Sequence, residues 1–169
     1  TCIENIDIGG PAMIRAASKN HATVTVITDP SDYGRLLEEM QGNNGATTLD
    51  FRKSLASKAY RRTGSYDAAI GAWFSEVLDD PFPERVVIAG VRRQELRYGE
   101  NPHQLAGVYR DPDFRGPSVV GAELLSGKPL SYNNLLDASA ALELIQDLHD
   151  ARPEQAASVV VKHTNPCGA

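Results

Sequence analysis

Lys162 and His163 are adjacent and directly follow residues 157–161, a run of small and β-branched side chains. Such a run reads as a strand buried on both faces, and open α/β sheets place ligands at the carboxyl ends of their strands. An imidazole exchanges a proton near neutral pH, and an ammonium beside it stabilises developing negative charge. Neighbouring side chains on a strand point to opposite faces, so the pair shares a site only if the strand ends there. Asn165-Pro166 is expected to supply that ending, because the residue before proline is pushed into a turn or extended conformation. A lysine and histidine exposed in a surface loop fit the residues equally well.

Three further clusters carry polar groups at turns. Arg97-Tyr98-Gly99-Glu100-Asn101-Pro102-His103-Gln104 is dense in donors. An arginine there suits bidentate contact with an oxyanion, and a tyrosine suits stacking or hydrogen bonding to a planar heterocycle. An ordinary polar loop is the competing reading. Ser131-Tyr132-Asn133-Asn134, with Asp137 expected in the first turn of the helix that follows, is either part of a site or a helix cap. Asp7 precedes Gly9-Gly10, and Lys19 ends the helix opened there. A carboxylate and an ammonium could jointly polarise a carbonyl, but roughly eight residues of helix at about 1.5 Å each separate Lys19 from the turn. They can meet around one ligand only if the preceding segment folds back. No metal site is expected: His163 and Cys167 are four apart, yet a zinc deaminase needs H-x-E and P-C-x-x-C. Pro166-Cys167-Gly168-Ala169 carries only half of the second signature.

The elements that must position these residues read as α/β. Residues 3–8 form a strand or loop, Gly9-Gly10 a tight turn, and Pro11 the first position of a helix toward Lys19. Residues 22–28 are expected to be a strand. Asp29-Pro30-Ser31 starts a helix with Leu36, Leu37 and Met40 inward, stopped by glycines 42–45. Residues 49–78 read as a helix pair interrupted near Thr63-Gly64-Ser65, with Leu55, Ala59, Ala69, Trp73, Phe74 and Val77 toward a core. Asp79, Asp80, Pro81 and Pro83 then break the helix. Residues 85–89 read as a short apolar strand before the polar run 92–95, placing a domain boundary near residue 90. Beyond it come the loop at 99–102, a strand at 105–109, a turn-rich stretch, and a helix with Leu135, Leu136, Ala140, Leu144, Ile145 and Leu148 apolar, ended by Pro153.

The 169 residues are 41% hydrophobic and 23% charged, the composition of a globular protein that can bury a core. A net charge of -5 argues against nonspecific nucleic-acid binding, which needs clustered Lys and Arg. No run approaches the roughly 18 apolar residues of a membrane span, and no basic-then-apolar signal opens the chain, so a cytoplasmic protein is expected. Cys2 and Cys167 stand at opposite ends without a framework spacing. The chain opens on Thr1, and residues 165–169 read as a loop after a buried strand, so both ends read as internal to a longer protein.

Five segments occur in a telling order: Glu4-Asn5-Ile6-Asp7-Ile8-Gly9-Gly10, Ala16-Ala17-Ser18-Lys19-Asn20-His21, residues 96–104, residues 130–138 and residues 161–168. In that order they resemble the bifunctional AICAR transformylase/IMP cyclohydrolase family over nearly the whole chain. The resemblance implies that residues 1–89 are the C-terminal part of a methylglyoxal-synthase-like cyclohydrolase domain. Residues 90–169 would begin a cytidine-deaminase-like transformylase domain without the deaminase zinc. It implies catalytic roles for Lys162 and His163 in formyl transfer from the co-substrate 10-formyltetrahydrofolate, and for Asp7 and Lys19 in ring closure. Arg97 and Tyr98 correspond to nucleotide-binding positions, and Asn134 and Asp137 to residues lining that site. AICAR, FAICAR and IMP would be its small-molecule partners, with a homodimer completing the transformylase site. The family's amino-terminal cyclohydrolase loops and its folate site have no counterpart here, so the piece alone is expected to be inactive. A noncatalytic nucleotide-binding scaffold is the main alternative.

Overall fold

A computed structural model describes residues 2–169 as a mixed helix and strand protein. Two compact units divide the chain, residues 1–89 and 90–169.

The first unit is helical. A 3-10 turn at Ile3–Asn5 precedes α1, Gly9–Lys19. Gly9 and Gly10 are therefore the first helical residues, where a separate turn was expected, and Pro11 is the third. Proline is still tolerated there because first-turn amides have no intrahelical acceptor. After a 3-10 turn at Pro30–Asp32 comes α2, Tyr33–Gly42, and then α3, Leu49–Val77. Asp29 caps the 3-10 turn by accepting the Ser31 amide at 2.9 Å. Asn44 and Gly45 take positive φ, 54° and 85°, turning the chain out of α2.

The interruption expected at residues 63–65 is absent: α3 runs unbroken for 29 residues. One mid-helix glycine costs only about 1 kcal/mol, and packing overrides it. Thr63 is buried and donates back to the Tyr60 carbonyl at 3.2 Å. The core is Val26, Phe51, Leu55, Ala56 and Ala59, so only the first half of α3 is sealed. Ala69, Phe74 and Val77 are exposed, as are Leu37 and Met40 on α2, against expectation. Leu36 and Trp73 are half-buried. Asp32 is buried and ion-paired to Lys58 at 2.6 Å, with Arg35 at 3.7 Å. Lys58 and Arg62 also face Asp29, at 3.9 and 3.8 Å.

The strand expected at residues 22–28 is not formed. Val26 is buried and the Thr25 and Thr47 hydroxyls bond at 2.8 Å, yet among the described residues no neighbouring strand pairs with this segment. Side-chain propensity can favour an extended backbone but cannot provide the ladder that makes it a strand.

The second unit has two separate two-stranded antiparallel sheets and one long helix. The first sheet pairs β1, Val91–Leu96, with β2, Ala106–Arg110, through a bulge between Arg92 and Gln94. The apolar segment at 85–89 is not a strand; Val86, Val87 and Ile88 are exposed, and the strand is the polar run after it. Pairing with β2 decides this, since a hairpin closes wherever backbone groups find partners across a loop. Helix α4, Tyr132–Ala151, follows. The second sheet pairs β3, Val160–Lys162, with β4, Asn165–Gly168. Of the doubly buried strand expected at 157–161, only Val160 and Val161 lie in a strand, and Val160 is 63% exposed on a hairpin arm. Residues 165–168 are likewise a strand, where a loop was expected.

Candidate functional site

In the first unit, Asp7 sits at the amino end of α1. Its Oδ1 accepts the Gly10 amide at 3.0 Å, and its own amide donates to the Tyr66 hydroxyl oxygen on α3 at 2.8 Å. The carboxylate thus satisfies one of the unpaired first-turn amides. A Cβ on residue 10 would stand 2.3 Å from Asp7 Oδ2, so any larger residue there would make the carboxylate shift. Lys19 ends the same helix and is exposed. Roughly ten residues at about 1.5 Å rise put about 15 Å of helix axis between the two ends, and no ion pair joins them among the described residues.

The segment after Lys19 is clamped to α3. Arg52 donates from Nε to the His21 carbonyl and from Nη2 to the Ala22 carbonyl, each at 2.8 Å, and from Nη1 to the Thr47 carbonyl. The His21 ring Nδ1 lies 3.1 Å from the Ser18 carbonyl. Tyr60 donates to the Arg15 carbonyl at 3.2 Å while the Arg15 guanidinium lies over its ring. Both ends of α1 are therefore held by side chains of α3.

In the second unit, Arg97 and Tyr98 follow directly on β1, with the guanidinium 5.7 Å from the ring centroid. The next turn is closed by Gly99 N–H to the Gln104 carbonyl at 2.8 Å and by Asn101 N–H to Gln104 Oε1 at 2.8 Å. A Cβ on Gly99 would lie 3.0 Å from that of Gln104, so the small residue allows the closure. A cleft of about 250 Å³ is lined by residues 94–98 and 128–131, including Arg97, Tyr98 and Lys128. Its wall joins the start of α4, where Asn133 Nδ2 reaches the Glu100 carbonyl at 3.5 Å.

Ser131 is the N-cap of α4 in a capping box with Asn134. The Asn134 amide donates to Ser131 Oγ at 3.3 Å, and Ser131 Oγ donates to Asn134 Oδ1 at 2.7 Å. The cap reading therefore holds for this motif, and Asn134 offers a ligand its amide nitrogen rather than its committed oxygen. Asp137 lies in the second turn of α4, not the first, so it is not a helix-end charge. Its Oδ1 accepts the Thr164 amide at 2.8 Å.

That bond ties α4 to the candidate catalytic pair. Lys162 pairs with Asn165 as the last rung of β3 and β4, leaving His163 and Thr164 as a two-residue turn with φ of 52° and 62°. Positive φ at both positions is the primed-turn geometry that matches strand twist. The strand thus ends at Lys162 because of the hairpin turn; Asn165-Pro166, expected to end it, is the start of the return strand. The His163 carbonyl accepts the Thr164 hydroxyl and Asn165 Nδ2, each at 2.6 Å. Lys162 and His163 are exposed. Among the described residues no group of three or more His, Cys, Asp or Glu is placed to hold a metal ion, and no helix is long and apolar enough to cross a membrane.

Tyr66 was not singled out from the sequence, and Gly10 and Thr164 only as members of a turn and of a longer segment. Tyr66 lies 59 positions from Asp7, and no local pattern marks such a partner.

A family model described as AICARFT/IMPCHase bienzyme matches residues 17–169. The bifunctional purine biosynthesis protein PurH of Sinorhizobium medicae (strain WSM419) is 59% identical over 169 residues, covering 99% of this chain and 30% of that relative. Its counterparts from Rhizobium meliloti (strain 1021) and Caulobacter vibrioides (strain ATCC 19089 / CIP 103742 / CB 15) are 56% and 55% identical. Each match covers 99% of this chain, and 30% and 31% of the respective relative. The chain therefore spans under a third of the length of these relatives. A match from Ala17 to Ala169, joined to identity above one half along almost the entire sequence, establishes that the chain belongs to the AICARFT/IMPCHase bienzyme family.

Proposed function

We propose that the full protein containing this chain carries out the last two steps of IMP synthesis. In the first, the 5-amino nitrogen of AICAR attacks the formyl carbon of 10-formyltetrahydrofolate. His163 takes the amine proton and Lys162 neutralises charge growing on the formyl oxygen. The bond from the formyl carbon to the folate nitrogen breaks, that nitrogen receives the proton held by His163, and FAICAR and tetrahydrofolate leave. In the second, the carboxamide nitrogen of FAICAR attacks the new formyl carbon, and water is lost to give IMP. Asp7 polarises the carboxamide and formyl groups in that step, with Lys19 joining it only where the bound nucleotide bridges the roughly 15 Å of helix axis between them.

In this reading residues 1–89 are the C-terminal part of a methylglyoxal-synthase-like cyclohydrolase domain, and residues 90–169 the N-terminal part of a cytidine-deaminase-like transformylase domain. Arg97 supplies a fork for the nucleotide's phosphate and Tyr98 a face for its heterocycle. Asn134 and Asp137 line the same site. The working protein is a cytoplasmic homodimer, with the folate donor bound largely by residues outside this chain.

The observation that carries the proposal is the hairpin turn: the strand ends at Lys162, and the next two residues are anchored to α4 through Asp137. The test is formyl transfer and ring closure by the full-length protein with Lys162→Gln and His163→Ala. Formyl transfer is expected to fall by about 10²–10⁴-fold for His163→Ala, while ring closure of supplied FAICAR continues. Undiminished formyl transfer in the double variant rejects the assignment.

A further inference from the structure

We infer that Tyr66 and Gly10 are positioning residues for Asp7 in ring closure, an inference that rests on the role proposed for Asp7. Two bonds fix that residue from opposite ends. The Tyr66 hydroxyl oxygen accepts the Asp7 amide at 2.8 Å and anchors its main chain to α3. The Gly10 amide donates to Asp7 Oδ1 at 3.0 Å and sets the carboxylate's rotation. A Cβ on residue 10 would stand 2.3 Å from Oδ2 and push the carboxylate out of this position.

Asp7 lies between a short 3-10 turn and α1 and is itself exposed, so packing alone does not immobilise it. The phenol is the long-range restraint. Half-buried on the continuous helix α3, Tyr66 lies beyond the glycine at which a break was expected. An unbroken α3 therefore matters to the site: a kink at Gly64 would swing Tyr66 away from Asp7. A catalytic group displaced by about 1 Å can lose on the order of 10²-fold in rate.

The experiment uses the full-length protein and a double-mutant cycle on ring closure, with formyl transfer as an internal control. Tyr66→Phe is expected to lower ring-closure kcat about tenfold, the scale of one hydrogen bond, with KM and formyl transfer unchanged. Gly10→Ala should lower the same kcat. In an Asp7→Asn background the Tyr66→Phe change should cost nothing further, because residues acting through one group are not additive. An unchanged kcat in Tyr66→Phe, its full loss repeated on Asp7→Asn, or parallel loss of both activities overturns the inference. If Asp7→Asn leaves no measurable rate, the kcat, KM and formyl-transfer values of Tyr66→Phe and Gly10→Ala decide it by the same criteria. If Asp7→Asn closes the ring at the original rate, the role of Asp7 itself fails.

Discussion

Removing the Asp137 carboxylate should loosen the turn that carries His163. Asp137 Oδ1 accepts the Thr164 amide at 2.8 Å, spanning 27 positions between α4 and the tip of the β3–β4 hairpin. A hydrogen bond to a charged acceptor contributes about 1.5–3 kcal/mol, and water competes for this exposed one, so about 1 kcal/mol is the appropriate scale. The opposing term has similar size. Thr164 is β-branched and stands at φ 62°, and left-handed backbone costs an L-residue roughly 1–2 kcal/mol. Asp137→Ala therefore removes an interaction comparable to the strain that the turn must bear. At about 1.4 kcal/mol per tenfold change, the Thr164 amide should exchange with solvent about fivefold faster, read by hydrogen-exchange mass spectrometry of the full-length protein. Formyl transfer should fall by about 10–100-fold through displacement of His163, with ring closure unaffected. Asp137→Asn keeps an oxygen acceptor and should recover most of both. Unaltered exchange at Thr164 together with unaltered formyl transfer in Asp137→Ala would refute the reasoning.

Two other expectations concern stability. Leu55 is 2% exposed at the centre of a small core, so Leu55→Ala should destabilise by about 2–5 kcal/mol, read as a lower urea midpoint for the first unit; a loss under 1 kcal/mol would contradict its core role. The second concerns pH. Hydrogen bonds from the Thr48 hydroxyl and amide hold Glu39 below the usual carboxylate range, and those from Ser31 do the same for Asp29, aided by Lys58 and Arg62. A folded pKa below the unfolded value gives stability that is fully present above the unfolded pKa and is lost as pH falls through the lowered folded one. The thermal midpoint should therefore drop with acidification below about pH 4, and Glu39→Gln should flatten that slope. An equally steep acid slope in the variant would assign it elsewhere.

Several features were legible because they close locally. Asp29-Pro30-Ser31 and Ser131 through Asn134 each specify a helix start with bonds spanning two or three residues. Asn44, Gly45 and the Gly99 loop likewise carry their own turn chemistry. The strand expected at 105–109 is β2, and Val160 and Val161 of the run 157–161 enter β3; the runs at 22–28 and 85–89, however, do not pair, and the observed β1 is polar and exposed. Runs of Val and Ile advertise burial, and burial is not pairing. Similarly, Gly64 signals a break, and the packing of Leu55, Ala56, Ala59 and Thr63 overrides it.

By itself, then, the sequence determined where most helices begin and end, which polar clusters could carry chemistry, and the family to which the chain belongs. Those properties reside in residue order and in hydrogen bonds that close within a turn. Only the tertiary structure decided that Tyr66 meets Asp7, that Asp137 holds the turn after Lys162, and which segments pair as strands. Each of these is a contact between residues far apart in the chain, where loop closure and competing partners, rather than local preference, select the outcome.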